Sequence, residues 1–230
     1  MQIKRAVHII FLLIFSIKLF AGDKYIADPD PKRYQNEIDA FAQWDQKNSF
    51  PEKAILFAGS SSIRMWKTHD AFPDYRIINR GFGGAHISDI LYYYNDVILK
   101  YKPSHIVFYC GDNDIAGNKP VKQVFDDYLK MISKIEKDLP GVKFIFISIK
   151  PSGSRWDYWE KMSELNRLII EYTTQKSDLF YLDLATPLLN SSGKPDNDLF
   201  RNDQLHLNEK GYQIWDSILG KVLKSLNDNK

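Results

Sequence analysis

Two groups of residues that can perform chemistry lie near opposite ends of this sequence. The first follows an apolar run and a glycine and consists of three consecutive hydroxyls, Ser60, Ser61 and Ser62. The second is the pair Asp203 and His206. A carboxylate three positions before a histidine can hydrogen-bond to one ring nitrogen, which fixes the tautomer and leaves the other nitrogen as a base. A hydroxyl, a base and an orienting carboxylate are therefore all present, although Ser60 or Ser62 also suits the cap of a turn.

Two loops between these groups carry hydrogen-bond donors. Each follows an apolar run and contains glycine, at residues 81–84 and 111–114. Acyl transfer requires donors aimed at the oxyanion that develops on the carbonyl group. Gly84 offers a backbone N–H with no side chain in the way, and Asn113 offers a side-chain amide. The carboxylates at 111–114 also suggest a calcium loop, but the distal glutamate of an EF-hand is missing.

The elements that must position these groups alternate between strands and helices. Short apolar runs bounded by turn residues indicate buried parallel strands, and five occur, at 54–58, 76–80, 105–110, 143–149 and 179–184. Amphipathic helical patterns lie between them. The alternation predicts a parallel sheet covered by helices on both faces, with right-handed crossovers. Ligands collect at the carboxyl ends of such strands.

Two of the predicted helices carry predictions about which side chains are buried or exposed. The first, from Arg33 to Gln46, is expected to pack on the domain through four residues that recur every three or four positions: Tyr34, Ile38, Phe41 and Trp44. The second runs from about residue 88 to residue 101. Tyr92 and Tyr93 lie off its apolar stripe, so we expect both to be exposed.

The four segments together resemble the SGNH, or GDSL-type, hydrolase family. The family's motifs are matched in order by Gly59-Ser60-Ser61, Gly84, residues 111–114 and the Asp203/His206 pair. The resemblance covers roughly residues 50 to 225. The register counted forward from Gly59 to Ile63 and Trp66 places Ser61 on the family's nucleophile. Ser60 stands where the family name records an aspartate.

The resemblance implies both a fold and a function. The fold is a three-layer α/β/α, flavodoxin-like sheet of five parallel strands in the order 2-1-3-4-5. The function is serine ester hydrolysis of a small acyl or acetyl ester by Ser61, His206 and Asp203. The resemblance implies an oxyanion hole built from the N–H groups of Ser61 and Gly84 and the amide of Asn113, with no metal or organic cofactor.

Three residues outside these motifs are candidates for substrate contact. The loop 150–156 follows the fourth predicted strand at the same edge of the sheet, so Arg155 and Trp156 are predicted to be walls of the site. A loop whose tryptophan covers the core is an equal alternative. His86 lies close to Gly84 and is a candidate for lining the pocket, although a satisfied polar residue near a helix start is the simpler interpretation. No histidine pair has metal spacing such as His-Glu-x-x-His.

Other interpretations share parts of this pattern. An α/β-hydrolase places its nucleophile in Gly-x-Ser-x-Gly, but here Ser62 and Ile63 follow Ser61. A sugar O-acetyltransferase would pass the same acyl group to a sugar hydroxyl instead of water. An exported carbohydrate-binding protein without turnover is a third alternative, although binding alone does not require an oriented base. The partner in every case is a small-molecule, glycan or lipid ester.

Composition limits the function further. The length of 230 residues suits a signal segment followed by one domain, residues 23–230. The composition, with 44% hydrophobic and 26% charged residues, is typical of a globular fold. With 31 Lys+Arg and 29 Asp+Glu the net charge is +2, which gives no electrostatic case for binding nucleic acid. The single cysteine, Cys110, is predicted to be a buried structural thiol. The oligomeric state is left open.

In the first 22 residues, charged, apolar and small residues follow one another in the order typical of a secretory signal peptide. Lys4 and Arg5 precede an apolar run at 6–15, and small residues follow at Ala21 and Gly22. The alternative, a retained membrane anchor, requires a longer apolar run than this to span a bilayer. We therefore expect an exported protein, periplasmic or extracellular, with no stable membrane span after processing.

Overall fold

A computed structural model of the chain describes residues 24–228. The predicted signal peptide lies outside the described residues. Five strands form one parallel sheet in the order β2-β1-β3-β4-β5, which confirms the predicted fold class. The strands are β1 (Ile55–Gly59), β2 (Ile77–Gly81), β3 (His105–Tyr109), β4 (Lys143–Ile147) and β5 (Leu179–Leu182).

Helices connect the strands and cover the sheet. The α-helices are α1 (Gln35–Lys47), α2 (Ser61–Arg64), α3 (Thr68–Ala71), α4 (Ile87–Tyr92), α5 (Tyr94–Val97), α6 (Asp112–Ala116), α7 (Val121–Asp138), α8 (Trp159–Thr173) and α9 (Glu209–Asp228). Short 3₁₀ turns occupy Pro31–Tyr34, Leu99–Tyr101, Gly153–Tyr158, Thr186–Leu188 and Asn197–Leu199. Between residues 24 and 228, none of the helices has the length and apolarity needed to cross a membrane.

The sheet separates two hydrophobic cores. Strand side chains alternate between the two faces, so Leu56 and Ala58 contribute to one core and Ile55 and Phe57 to the other. Helices α1, α4, α5, α7 and α8 cover the first face, and α2 and α9 cover the second. Because both faces of β1 and β3 are buried, the loops after these strands start from a rigid base.

Two predictions about exposure are wrong. In α1, Trp44 is 66% exposed, because its neighbour Asp45 takes the inward position and hydrogen-bonds to Arg80 and Tyr101. Tyr93 is only 4% exposed, whereas Tyr92 is exposed as predicted. The helix breaks at Tyr93 before α5 starts, which rotates this ring inward and lets its hydroxyl donate to the carbonyl oxygen of Pro31.

The ends of β1 and β3 are held very close together. Gly59 pairs with Tyr109, and a Cβ on Gly59 would lie 2.0 Å from the Tyr109 carbonyl oxygen, so a side chain has no room here. The N–H of Ser60 also donates to this carbonyl oxygen, at 2.9 Å. The serine run and the 111–114 loop are thereby fixed next to each other at the carboxyl edge of the sheet.

Candidate active site

The structure brings Ser61, His206 and Asp203 into one chain of contacts. Ser61 is the first residue of α2, directly after β1, and His206 lies in the loop before α9. The Nε2 atom of His206 is 3.0 Å from Ser61 Oγ, and its Nδ1 atom is 2.6 Å from Asp203 Oδ2. A hydroxyl, imidazole and carboxylate connected in this order can move the hydroxyl proton to the ring.

The three consecutive serines differ sharply in their surroundings. Ser60 is 0% exposed and Ser62 is 1% exposed, whereas Ser61 is half-buried. Within residues 24–228, the hydroxyl of Ser60 has no hydrogen-bond partner. Of the three hydroxyls, the structure thus presents that of Ser61 to His206, at the position that the sequence register assigns to the nucleophile.

A tight turn holds the carboxylate against the imidazole. Asp203 Oδ1 accepts hydrogen bonds from the backbone N–H groups of Leu205 and His206, both at 3.0 Å, and Gln204 between them has a φ of 51°. Burial acts to raise the pKa of Asp203, but the hydrogen bonds from His206 and Leu205 outweigh it and hold that pKa well below its usual value. The carboxylate is therefore ionised throughout the neutral range.

Of the three predicted oxyanion donors, Asn113 is tied by a hydrogen bond to the loop that contains Gly84. The Nδ2 atom of Asn113, in the first turn of α6, donates to the carbonyl oxygen of Ala85 at 3.0 Å, so the amide lies against the residue that follows Gly84. The Sγ atom of Cys110 contacts the same carbonyl oxygen at 3.2 Å. Cys110 is buried as predicted, and burial raises the pKa of its thiol.

His86 is placed at the start of α4, where it occupies the N-cap position. It is 9% exposed, and its Nδ1 atom lies 3.7 Å from Asp114 Oδ1. Burial, reinforced by the charge of Lys119, lowers the pKa of His86 to about 4, so the ring is neutral at pH 7. Contact between His86 and a substrate stays a prediction.

Arg155 and Trp156 lie in the 3₁₀ turn that follows β4. The guanidinium of Arg155 donates to Asp112 Oδ2 at 2.9 Å and to Asn113 Oδ1 at 2.8 Å. The ring of Trp156 stacks on Trp159, with centroids 6.0 Å apart and planes 16° apart. Both side chains are half-buried, and their contact with substrate stays a prediction.

Sequence reasoning missed two residues at the site. Lys150 is 2% exposed, and its Nζ atom lies 3.2 Å from the Tyr109 hydroxyl and 3.7 Å from Asp112 Oδ2. Burial lowers the pKa of Lys150. The sequence predicts Tyr34 only as part of a helix face, yet its hydroxyl lies close to Gly84. Lys150 begins the loop that the sequence singles out, but no local pattern marks Lys150 or Tyr34 itself, since their partners come from distant parts of the chain.

Substituting alanine at Gly84 is expected to reduce both stability and any activity. Gly84 has a φ of 76°, and its Cβ would lie 3.1 Å from the Tyr34 hydroxyl. The left-handed conformation alone costs about 1–2 kcal/mol for a residue with a side chain, and the close contact adds to that. The free energy of unfolding, measured by urea denaturation, should fall by more than this backbone cost.

Gly141 provides the matched control for Gly84. Its φ is 81°, and a Cβ there would meet nothing within 4 Å, so Gly141→Ala carries the backbone cost without the contact. Equal losses of stability for the two variants would show that the Tyr34 contact is unimportant.

Among residues 24–228, no group of three or more His, Cys, Asp or Glu side chains is arranged to hold a metal ion.

Comparisons with known proteins identify the family. The profile of the GDSL-like lipase/acylhydrolase family matches residues 60–214. No curated protein matches the sequence significantly. Solved structures share the fold. A protein from Streptococcus pneumonia, proposed to be a platelet activating factor, has a TM-score of 0.74 and 22% identity, and the match covers 83% of this chain and 93% of that one.

Two proteins of Bacteroides show the same similarity. A proposed acylhydrolase from Bacteroides fragilis has a TM-score of 0.72 and 21% identity, over 86% of this chain and 99% of that one. A GDSL-like lipase from Bacteroides thetaiotaomicron has a TM-score of 0.69 and 24% identity, over 86% and 98%. These identities establish a common fold. Because the family profile also spans more than half of the sequence, this chain belongs to the GDSL-like lipase/acylhydrolase family and has the SGNH hydrolase fold.

Proposed function

We propose that this protein is a serine ester hydrolase that cleaves a small acyl or acetyl ester, with Ser61 as nucleophile, His206 as base and Asp203 as the orienting acid. The observation that carries the proposal is the 3.0 Å contact between His206 Nε2 and Ser61 Oγ, with Asp203 on the opposite ring nitrogen. The hydrogen bond to Asp203 places the ring proton on Nδ1, which leaves Nε2 free to accept.

The reaction proceeds through an acyl-enzyme. Ser61 Oγ attacks the ester carbonyl carbon while its proton moves to His206 Nε2, and the resulting imidazolium returns that proton to the departing alcohol. Water then attacks the acyl-enzyme, gives its proton to His206, and the carboxylic acid is released as Ser61 takes the proton back. Protons and bonds balance over the two steps, and Asp203 stays ionised throughout.

The oxyanion of each tetrahedral intermediate is proposed to lie among three donors. These are the backbone N–H groups of Ser61 and Gly84 and the side-chain amide of Asn113. The bond from Asn113 to Ala85 O supports this assignment, because it fixes the amide beside the Gly84 loop. Removing one such donor typically costs on the order of 100-fold or more in turnover.

The alcohol part of the ester is proposed to lie against Trp156. A groove of about 540 Å³ is lined by Trp156, Asp157, Trp159, Glu160 and Ser163, and the Nζ atom of Lys194 lies 4.5 Å above the Trp156 ring. Broad aromatic surfaces beside polar groups suit an alcohol that has both apolar and hydroxylated faces. Because Arg155 is already paired with Asp112 and Asn113, its role is better assigned to the oxyanion side.

Labelling with a fluorophosphonate probe tests the proposal directly. The probe reacts with an activated serine, so the wild-type protein should label and Ser61→Ala should not. A panel of esters with different acyl lengths and alcohol groups then defines the substrate, and product analysis with a sugar acceptor separates hydrolysis from acyl transfer. A folded wild-type protein that fails to label would favour the binding protein without turnover.

The activity is expected to fall as the pH is lowered below neutrality. His206 must be neutral to accept the proton of Ser61, so a proton gained by the ring as the pH falls removes the base. The pKa of Asp203 is held well below its usual value, so this carboxylate remains ionised between about pH 5 and 8. The loss of activity toward acid pH should therefore follow the uptake of one proton. The measurement is kcat/KM from pH 4 to 9; a flat profile between about pH 5 and 8 would exclude a neutral histidine as the base.

Export is the second part of the proposal. It is supported by the order of charged, apolar and small residues over positions 1–22. The N-terminal sequence of the protein recovered outside the cytoplasm should begin near residue 23. Recovery of the protein only inside cells, with Met1 retained, would contradict it.

A further inference from the structure

The side-chain amide of Asn113 has two orientations that are nearly equal in shape and opposite in chemistry. With Nδ2 toward the oxyanion it donates a hydrogen bond, whereas a 180° flip presents the acceptor Oδ1 to a negative charge. Catalysis in the proposed mechanism therefore depends on which orientation is populated. Some neighbouring group has to select the donating one.

Two hydrogen-bond partners of Asn113 both require the same orientation of its side-chain amide. The carbonyl oxygen of Ala85 can only accept, and it lies 3.0 Å from Nδ2. The guanidinium of Arg155 can only donate, and its Nη2 atom lies 2.8 Å from Oδ1. Flipping the amide would set donor against donor and acceptor against acceptor. Since Nδ2 carries two N–H bonds and Ala85 takes one, the second remains for the oxyanion.

The guanidinium of Arg155 is itself held in place. Its Nη1 atom donates to Asp112 Oδ2 at 2.9 Å, and the other oxygen, Oδ1, accepts the backbone N–H of Asn113 at 3.0 Å. The side chains of Asp112 and Arg155 are 5% and 18% exposed. One planar guanidinium thus bridges two consecutive residues of α6, a geometry that suits arginine and that the single ammonium of lysine cannot reproduce.

We propose that Arg155 is a positioning residue that holds the Asn113 amide in its donating orientation and polarises it toward the oxyanion. The inference rests on the proposed function, since it concerns the same oxyanion hole. A cation hydrogen-bonded to Oδ1 draws electron density from the amide and strengthens its remaining N–H as a donor. Because the bonds exist before substrate arrives, the donor needs no reorganisation during the reaction.

The effect of replacing Arg155 should appear in kcat. Arg155→Met keeps most of the unbranched stem of the side chain but removes the charge and both hydrogen bonds. We expect kcat to fall by about 10- to 100-fold, less than or equal to the loss of a whole donor, with KM changed by less than about threefold. Arg155→Lys keeps the charge but not the bridge and should lie between the wild type and Arg155→Met.

A double-mutant cycle separates action through Asn113 from any other role. In the Asn113→Ala background there is no amide to orient, so adding Arg155→Met should change kcat by less than about twofold. The second-order rate of fluorophosphonate labelling should show the same dependence. Arg167→Met is the control, because Arg167 pairs with Glu171 on the surface of α8 and is 57% exposed; its kinetics should equal those of the wild type.

Equal losses in the two backgrounds, or a raised KM with unchanged kcat, would overturn the proposal and make Arg155 a substrate contact. Melting temperatures verify the fold of each variant, and if Arg155→Met does not fold, the same cycle is run with Arg155→Lys. A wild-type protein without esterase activity or labelling would instead refute the proposed function, which is a different result from an active wild type with additive losses.

Discussion

Ser61→Ala is expected to lower kcat/KM for ester hydrolysis by about 10⁴-fold or more, because removal of the nucleophile leaves only substrate binding and the oxyanion donors. The substitution deletes one half-buried hydroxyl whose partner is His206, so the fold should be unaffected. The measurement is kcat/KM with the best ester of the panel, together with the melting temperature. The fluorophosphonate label should be lost in parallel.

Ser60→Ala is the matched control for this variant. Its hydroxyl is adjacent in sequence, fully buried, and without a hydrogen-bond partner in the part of the chain that the structure describes. Deleting an unsatisfied buried hydroxyl is close to neutral or mildly stabilising, and activity should be retained. Loss of activity in Ser60→Ala with activity kept in Ser61→Ala would move the nucleophile by one position and disprove the assignment.

Asp203→Asn should reduce kcat/KM by about 10³-fold, somewhat less than the roughly 10⁴-fold typical of a buried triad aspartate. Asparagine can still accept the backbone N–H groups of Leu205 and His206 through its oxygen, so the turn should persist. Its NH₂ group, however, would donate to Nδ1 of His206, and the ring proton would then occupy Nε2. A protonated Nε2 cannot accept the Ser61 proton.

The smaller expected loss follows from exposure. The Asp203 side chain is 48% exposed, so water can partly replace the carboxylate as a partner of the imidazole.

Asp196→Asn is the control for Asp203→Asn. The Asp196 side chain also accepts a backbone N–H, from Asp198, and the change removes one negative charge from the same long loop. Identical kinetics for the two variants would mean that Asp203 acts only through its charge and does not orient His206.

Much of the fold was predictable because its signals are local. The five strands are apolar runs ended by turn residues, and their helices carry stripes with a period near 3.6, so the α/β alternation follows from spacing alone. The strand order 2-1-3-4-5 came from the family resemblance and is confirmed. The errors at Trp44 and Tyr93 both depend on contacts that are remote in sequence. Beside Trp44, Asp45 pairs with Arg80, and the break before α5 brings the Tyr93 hydroxyl to Pro31.

The candidate site divides in the same way. The sequence by itself determined the residue types and the loops in which Ser61, Gly84, Asn113 and the Asp203/His206 pair occur, because each follows a local signal of glycine, hydroxyl or carboxylate. Only the tertiary structure decided that His206 contacts Ser61 and not Ser60 or Ser62, and that Arg155 faces Asn113. Such contacts join side chains that are far apart along the chain. Their geometry depends on how the strands and loops pack, which no short-range sequence pattern can predict.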